Sequence, residues 1–252
     1  MPVMPGAEPF RHDGSSTGVL LCHGFTGSPH SLRPWAEYLA AAGLSVSLPR
    51  LPGHGTTWQE MARTRWGDWY AELDRAFEEL RARTDEMFVM GLSMGGCLAL
   101  RIAEVRGKAV TGLVLVNPSV TADTKLFALA PLLKLFVPSL KGVGSDIKKP
   151  GVTEGAYDRV PVRAAATLPG LWRATQDQLG EITQPVLVYR STEDHVVGPA
   201  SLAVLEQALP PDQLTVRDCS DSFHVATLDN DAQAIFTGSL EFVRLHGRAG
   251  EG

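Results

Sequence analysis

A mostly parallel α/β sheet with helices on both faces and one long insertion is the fold class this sequence predicts. Two observations carry it. Short apolar runs alternate with helical stretches from Val19 onward, the rhythm of parallel strands joined by helical crossovers. That rhythm breaks once, between Ser119 and Gln184, over a stretch much longer than an ordinary crossover and with no evident strand. At 252 residues the chain suits one large core, so the reading is a core of residues 1–118 and 185–252 with residues 119–184 inserted as a cap.

The elements follow in order. Residues 19–22 (VLLC) form a buried strand leading to a helix within 32–42, which Gly43 closes. Residues 44–48 are the next strand, stopped by Pro49. Asp68 is the expected N-cap of a helix over 69–83, whose apolar face is Trp69, Leu73, Ala76, Phe77 and Leu80. The apolar run 87–90 ends in the turn Gly91-Leu92-Ser93-Met94-Gly95, and a helix follows. Residues 112–116 are a continuous apolar strand stopped by Asn117-Pro118. Within the insertion, residues 126–137 form an apolar amphipath with Lys134 as its lone charge, and 168–179 read as a helix returning to the core. The core resumes with a strand at 186–190, a helix near 200–209, a strand at 214–217 and a closing helix from Asp231 to about 245.

The serine turn is the chemical signal. A serine between a strand and a helix, with glycines two residues either side, is held in a tight turn that lifts its Oγ above the strand end. Ser93 is therefore the candidate nucleophile, against the plainer role of a helix N-cap. Such a serine needs a base, a carboxylate to fix the base's tautomer, and amide donors for an oxyanion. His224, after the last strand, is the candidate base. Asp194, in the loop after residues 186–190, is the candidate acid, and Glu193, Asp218 and Asp221 are its rivals. Asp218 and Asp221 share the histidine's own loop, which favours Asp194. His23-Gly24-Phe25 follows the first strand, so the Phe25 and Met94 amides are the candidate oxyanion hole. The remaining histidines read as structural, exposed or loop-ordering, and His23 is expected to fix its loop through a backbone hydrogen bond. His54, in Leu51-Pro52-Gly53-His54-Gly55, stiffens a turn or else contacts substrate.

Four motifs in order, HGFTGSP at 23–29, GLSMGG at 91–96, EDHVV at 193–197 and S-x-H-V at 222–225, resemble the α/β-hydrolase superfamily. Within it the chain is similar to small bacterial carboxylesterases and monoacylglycerol lipases over about residues 17–245. The resemblance implies an α/β-hydrolase fold with a cap after the sixth core strand, a Ser-Asp-His triad and an oxyanion hole, carried here by Ser93, Asp194, His224, Phe25 and Met94. It also matches Glu154 to a glutamate near the glycerol end of those lipases; by its residue type alone Glu154 is a solvated cap carboxylate. Because the family's cap sits over the nucleophile, residues 126–137, with Leu129 and Phe136 among them, are expected to line an acyl tunnel, unless they are buried core. The function implied is hydrolysis of medium-chain carboxylic esters, monoacylglycerols among them. A thioesterase or acyltransferase with the same triad and a non-catalytic binding relative are the alternatives.

Composition bounds the rest. A net charge of −5 without a basic run gives no support for nucleic acid or anionic membrane as partner; the resemblance implies a small ester or lipid substrate, with no stable membrane insertion. The N-terminal residues lack a basic and an apolar secretory region, which points to the cytoplasm. Cys22, Cys97 and Cys219 lie in or near apolar runs and read as buried small hydrophobes. No His or Cys pair has ligand spacing, so no metal or cofactor is expected.

Overall fold

The structure is a computed structural model and describes residues 2–122, 137–142 and 144–247. In chain order the elements are β1 (Phe10–His12), β2 (Thr17–Cys22), α1 (Arg33–Ala41), β3 (Ser45–Leu48), α2 (Trp58–Met61), α3 (Trp66–Arg81), β4 (Glu86–Leu92), α4 (Met94–Arg106) and β5 (Gly112–Val116). There follow β6 (Ser139–Lys141), β7 (Arg159–Pro161), α5 (Val162–Ala165), α6 (Leu168–Gln176), β8 (Val186–Ser191), α7 (Ala200–Ala208), β9 (Leu214–Cys219) and α8 (Ala232–His246). Among the described residues, none of these helices is long and apolar enough to cross a membrane.

The central sheet runs β1-β3-β2-β4-β5-β8-β9. Its strands are parallel except for β1, which pairs antiparallel with β3. This is the α/β-hydrolase sheet. β4 and β5 are buried along their whole length, which is why they read as unbroken apolar runs and not as alternations. β2, β4, β5 and β8 send alternate side chains to opposite cores. Leu20, Met87 and Val89 meet α3 and α4 on one face, and Val19, Leu21, Phe88 and Met90 meet α1 and α8 on the other. From β2 the chain turns to β3 on one side and then crosses to β4 on the other, which makes the carboxyl ends of β2 and β4 a topological switch point. A ligand crevice is expected there. Cys22 and Gly91 are register partners at that edge, so the loops after them emerge side by side.

Several elements differ from the sequence reading. β1 and α2 were absent from it, being three and four residues long with no apolar period of their own. Asp68 does not occupy the N-cap of α3. It sits one turn inside, its carboxylate accepting the Arg65 amide at 3.0 Å, and the helix starts at Trp66. Gly43 does close α1, with φ +89°. The insertion leaves the sheet after β5, the fifth strand along the chain instead of a sixth. It also contains the antiparallel ribbon β6–β7, where no strand was expected. Three-residue strands carrying Lys141 and Arg159 have no buried stripe to betray them. The ribbon is held by its ladder and by Arg159 Nε donating to Ser139 Oγ at 2.7 Å. The expected helix over 168–179 ends at Gln176 and continues as a single turn over Leu179–Glu181. Leu168, Leu171 and Trp172 of α6 join the core of α4, where Cys97 Sγ donates to Thr175 Oγ1 at 3.5 Å. Leu129 and Phe136 lie outside the described residues.

Candidate active site

Ser93 adopts φ +57°, ψ −122°, a backbone region that side chains rarely occupy. Contacts on every side impose it. A Cβ on Gly95 would overlap the Cys22 carbonyl, one on Gly91 would overlap the Gly95 carbonyl, and one on Gly96 would lie 2.9 Å from Pro118 Cβ. The Ser93 amide donates to Val116 O at 2.9 Å, and Ser93 O accepts from the Ser119 amide at 3.1 Å. Ser93 stands at the N-cap position of α4, yet its side chain makes no capping hydrogen bond. The hydroxyl is thus not committed to the helix.

His224 is brought to the same edge from β9, and Asp194 from β8. His224 Nδ1 and Asp194 Oδ2 are 2.8 Å apart, with both side chains almost covered (8% and 6% exposed). A carboxylate only accepts, so Nδ1 carries the proton and the neutral ring keeps Nε2 as its free base. Asp194 Oδ1 accepts from the Val196 and Val197 amides at 2.8 Å each. Burial alone raises the Asp194 carboxyl, but His224 and these two amides outweigh it and hold the group below the usual carboxylate range. The rival acids are engaged elsewhere. Asp218 pairs with Arg190 at 2.8 Å, Asp221 with Lys148 at 3.1 Å, and Glu193 reaches Lys148 at 3.8 Å.

The His-Gly loop lies against Ser93, where a Cβ on Gly24 would be 3.3 Å from Ser93 Cβ. His23 is fully buried and orders this loop. Its Nδ1 lies 3.0 Å from Gly24 O, and its Nε2 accepts the Leu51 amide at 3.2 Å. Burial pushes its pKa down to about 4, so it stays neutral. Phe25 and Met94 face one cavity together with Ser93 and His224. Its volume is about 320 Å³, with Leu92, Val160, Leu168 and Trp172 on the apolar wall and Thr26, Asp146, Glu154 and His195 among the polar groups.

The substrate-contact residues divide. Glu154 is buried and lines the cavity, so it is not the solvated carboxylate its residue type suggested. Burial pushes its pKa up to about 7, with nearby Asp146 adding to the rise and His224 opposing it. His54 is fully buried and does not appear on the cavity wall. Its Nδ1 lies 3.1 Å from Pro52 O within its own turn, and its ring packs edge-on against Phe25, Trp69 and His23. That places it behind Phe25, as a brace for the turn. Among the described residues no group of His, Cys, Asp or Glu is arranged to hold a metal.

Two residues with a part in this geometry were missed. Asn117, read only as a strand stop, has φ +44° and donates from Nδ2 to His224 O at 2.7 Å and to Ser191 Oγ at 2.9 Å, while its Oδ1 accepts the Ser191 amide. Asp146 contacts both His195 and His224. An Asn able to take a left-handed turn right after a β-strand was a usable signal for the first. No local signal existed for the second.

A family model described as serine aminopeptidase, S33, matches residues 15–231. The chain is 42% identical over 246 residues to a thermostable monoacylglycerol lipase of Bacillus sp. strain H-257, covering 97% of each protein. It is 23% identical over 237 residues to a carboxylesterase of Bacillus subtilis strain 168, covering 94% of this chain and 96% of that one. Among solved structures, one reported for the metagenome-derived lipolytic enzymes LipS and LipT superposes with a TM-score of 0.94 at 40% identity, over 97% of this chain and 100% of that chain. The monoacylglycerol lipase of Paleococcus ferrophilus gives 0.79 at 20% identity, over 98% and 100%, a likeness of fold.

Proposed function

From a chain that belongs to the serine aminopeptidase, S33, family of α/β-hydrolases, we propose a serine ester hydrolase acting on medium-chain carboxylic esters, monoacylglycerols among them, through an acyl-enzyme. The observation that carries the reading is an uncommitted serine hydroxyl on a strained turn, sharing a cavity with a histidine whose Nδ1 is already held by a buried carboxylate. Ser93 Oγ attacks the ester carbonyl carbon as His224 Nε2 takes its proton. The Phe25 and Met94 amides receive the oxyanion, an effect worth about 3 kcal/mol per donor in serine hydrolases. Collapse expels the alcohol, which leaves with the proton from His224. Water, deprotonated by the same nitrogen, then attacks the acyl-enzyme, and the second collapse frees the acid and Ser93.

The substrate class rests on the walls. Leu92, Val160, Leu168 and Trp172 offer an apolar lining for an acyl chain, and each buried methylene is worth at most about 0.8 kcal/mol. Glu154, held partly neutral near pH 7, offers a hydroxyl that donates as well as an oxygen that accepts, which suits a polyol leaving group. The insertion serves as the cap, its described residues Glu154, Val160, Leu168 and Trp172 standing on the wall of this cavity. The named relatives at 42% and 23% identity, a monoacylglycerol lipase and a carboxylesterase, support the same class. The test is a series of monoacylglycerols and matched thioesters from short to long chains, run beside Ser93→Ala. Expected are a maximum of kcat/KM at medium chain length, preference for oxygen esters, and loss of several orders of magnitude in Ser93→Ala with the fold intact. One tenth of wild-type activity in Ser93→Ala would overturn the nucleophile, and a preference for thioesters would overturn the substrate class.

A further inference from the structure

The loops bearing Asp194 and His224 come from the ends of two different strands, and one carboxylate from the insertion grips both. Asp146 Oδ2 accepts the main-chain amide of His224 at 3.1 Å and that of His195, the residue after Asp194, at 3.3 Å. Its Oδ1 lies 2.8 Å from His195 Nδ1, and its own carbonyl accepts the Val225 amide at 3.0 Å. The Asp146 side chain is 10% exposed and the His195 side chain 50%, so the bond to the His224 amide is the most sheltered of the three side-chain bonds. Asp229, next to the histidine loop, reaches back in the opposite sense. Its Oδ2 accepts the Lys148 and Phe223 amides at 2.7 and 2.9 Å, and its Oδ1 accepts the Lys149 amide at 2.9 Å. The far end of the same arc is tied to the other half of the site. The Tyr157 amide donates to Thr26 O at 3.2 Å, and its hydroxyl donates to Gly53 O at 2.8 Å.

From this geometry we infer that Asp146 is a positioning residue for the reaction proposed above: it staples the acid-bearing loop to the base-bearing loop and fixes the His224 ring over Ser93. The inference rests on that reading of Ser93, Asp194 and His224. Three acceptor bonds from one anion to two loops set their separation. The Nδ1–Oδ2 pair sets only the last dihedrals of the two side chains. Displacements of about 1 Å in a reacting group can cost about 100-fold in rate without touching substrate affinity. His195 is the second grip. Its ring lies edge-on to Phe223 at 4.7 Å between centroids, and Asp146 holds its imidazole above the ordinary pKa, which strengthens the bond to the carboxylate.

The experiment compares wild type, Asp146→Ala and Asp146→Asn by the rate at which a fluorophosphonate labels Ser93, by kcat and KM on one short-chain ester, and by thermal unfolding. In Asp146→Ala, labelling and kcat fall 10- to 100-fold while KM stays within about threefold. Asp146→Asn keeps an oxygen for the two amides, so it recovers to within two- to tenfold of wild type. Wild-type labelling and kcat in folded Asp146→Ala would overturn the inference, as would an Asn variant as slow as the Ala variant, since that would make the effect one of charge and not of position. Should Asp146→Ala fail to fold, Asp146→Ser, whose shorter side chain cannot reach both amides, takes its place with the same readouts: labelling and kcat reduced 10- to 100-fold at unchanged KM support the staple, and wild-type values overturn it. Failure of the wild-type protein to label at Ser93 is a separate result and sinks the catalytic reading itself.

Discussion

The turn that carries Ser93 is held by steric contact with the main chain packed around it, whereas the loop that carries His224 is held by polar groups. Gly91, Gly95 and Gly96 are needed because the backbone at Cys22 and His23, the backbone of the turn itself and the ring of Pro118 occupy the space where side chains would go. His224 instead depends on Asp146, Asn117 and Asp194, which lie 78, 107 and 30 positions away along the chain. A steric lock survives changes of charge and fails on one added methyl. A polar lock does the reverse. Substitutions on the two sides therefore ought to separate fold from rate.

Asp194→Asn breaks the polar side most sharply. The change is isosteric, but an amide facing His224 Nδ1 stabilises the wrong tautomer, with the proton on Nε2. A loss of about 10⁴-fold in kcat, or about 5 kcal/mol of barrier, is expected, with the unfolding midpoint little changed. Steady-state kinetics beside urea unfolding measures both. If Asp221→Asn proved the damaging change and Asp194→Asn mild, the acid would be misassigned.

Gly95→Ala breaks the steric side. The added Cβ meets Cys22 O, and it also lies 2.6 Å from Cys22 C and 2.7 Å from His23 O, all of them backbone atoms with no rotamer to give. A stability loss of about 3 kcal/mol or more is expected. A variant with the wild-type urea midpoint would show that the strand and turn have room the structure does not give them.

Glu104, toward the far end of α4, the helix that follows Ser93, tests whether a charge matters to the steric side at all. Its side chain is fully covered and salt-bridged to Arg101 at 2.8 Å, yet burial raises its pKa from 4.5 to about 7. Between those values the folded protein holds a proton that the unfolded chain has released. This contribution to stability is complete below pH 4.5 and is lost as pH climbs to about 7. Glu104→Gln removes the dependence. After allowance for the weakened Arg101 contact, the variant is expected to gain about 1 to 2 kcal/mol over wild type at pH 8 and nothing at pH 4.5. Glu154 titrates with the same sign, so the comparison has to be made between variant and wild type at each pH. Equal stabilities at pH 8 would mean that Arg101 already neutralises the carboxylate's cost.

The same division explains what could be read from the sequence. What residue type along a single segment records was legible: the buried runs of β2, β4, β5 and β8, the Gly43 stop, the glycines of the Ser93 turn, and the loops that carry Asp194 and His224. What escaped depends on partners remote in sequence. β1 is three residues of edge strand whose place comes from pairing with β3, and the β6–β7 ribbon is buried only at its Ser139–Pro161 end. Asp146 sits in GVGSDIKKP, a stretch indistinguishable from a solvated loop, and takes its meaning only from amides at 195 and 224. Asp68 was misplaced by one turn because an acid at the third position of a helix caps from inside as readily as one at its start.

The smallest effect bears on whether the Ser93 turn stores strain. With φ +57°, ψ −122°, serine occupies a region where glycine alone is at ease, at a cost of about 1 to 3 kcal/mol. Removing the hydroxyl leaves that cost in place, because the Cβ is what clashes. Ser93→Ala is therefore expected to match wild type in stability. Ser93→Gly removes the Cβ and relieves the strain, while the freer unfolded chain takes back about 0.4 to 1 kcal/mol. The glycine variant should then be more stable than the alanine variant by about 1 kcal/mol, read from urea midpoints at equal m-values. Both are expected to be inactive, so the difference isolates the backbone from the chemistry. If Ser93→Gly proved no more stable than Ser93→Ala, the turn would be unstrained, and the projection of Oγ would follow from the packing of Gly91 and Gly95 alone.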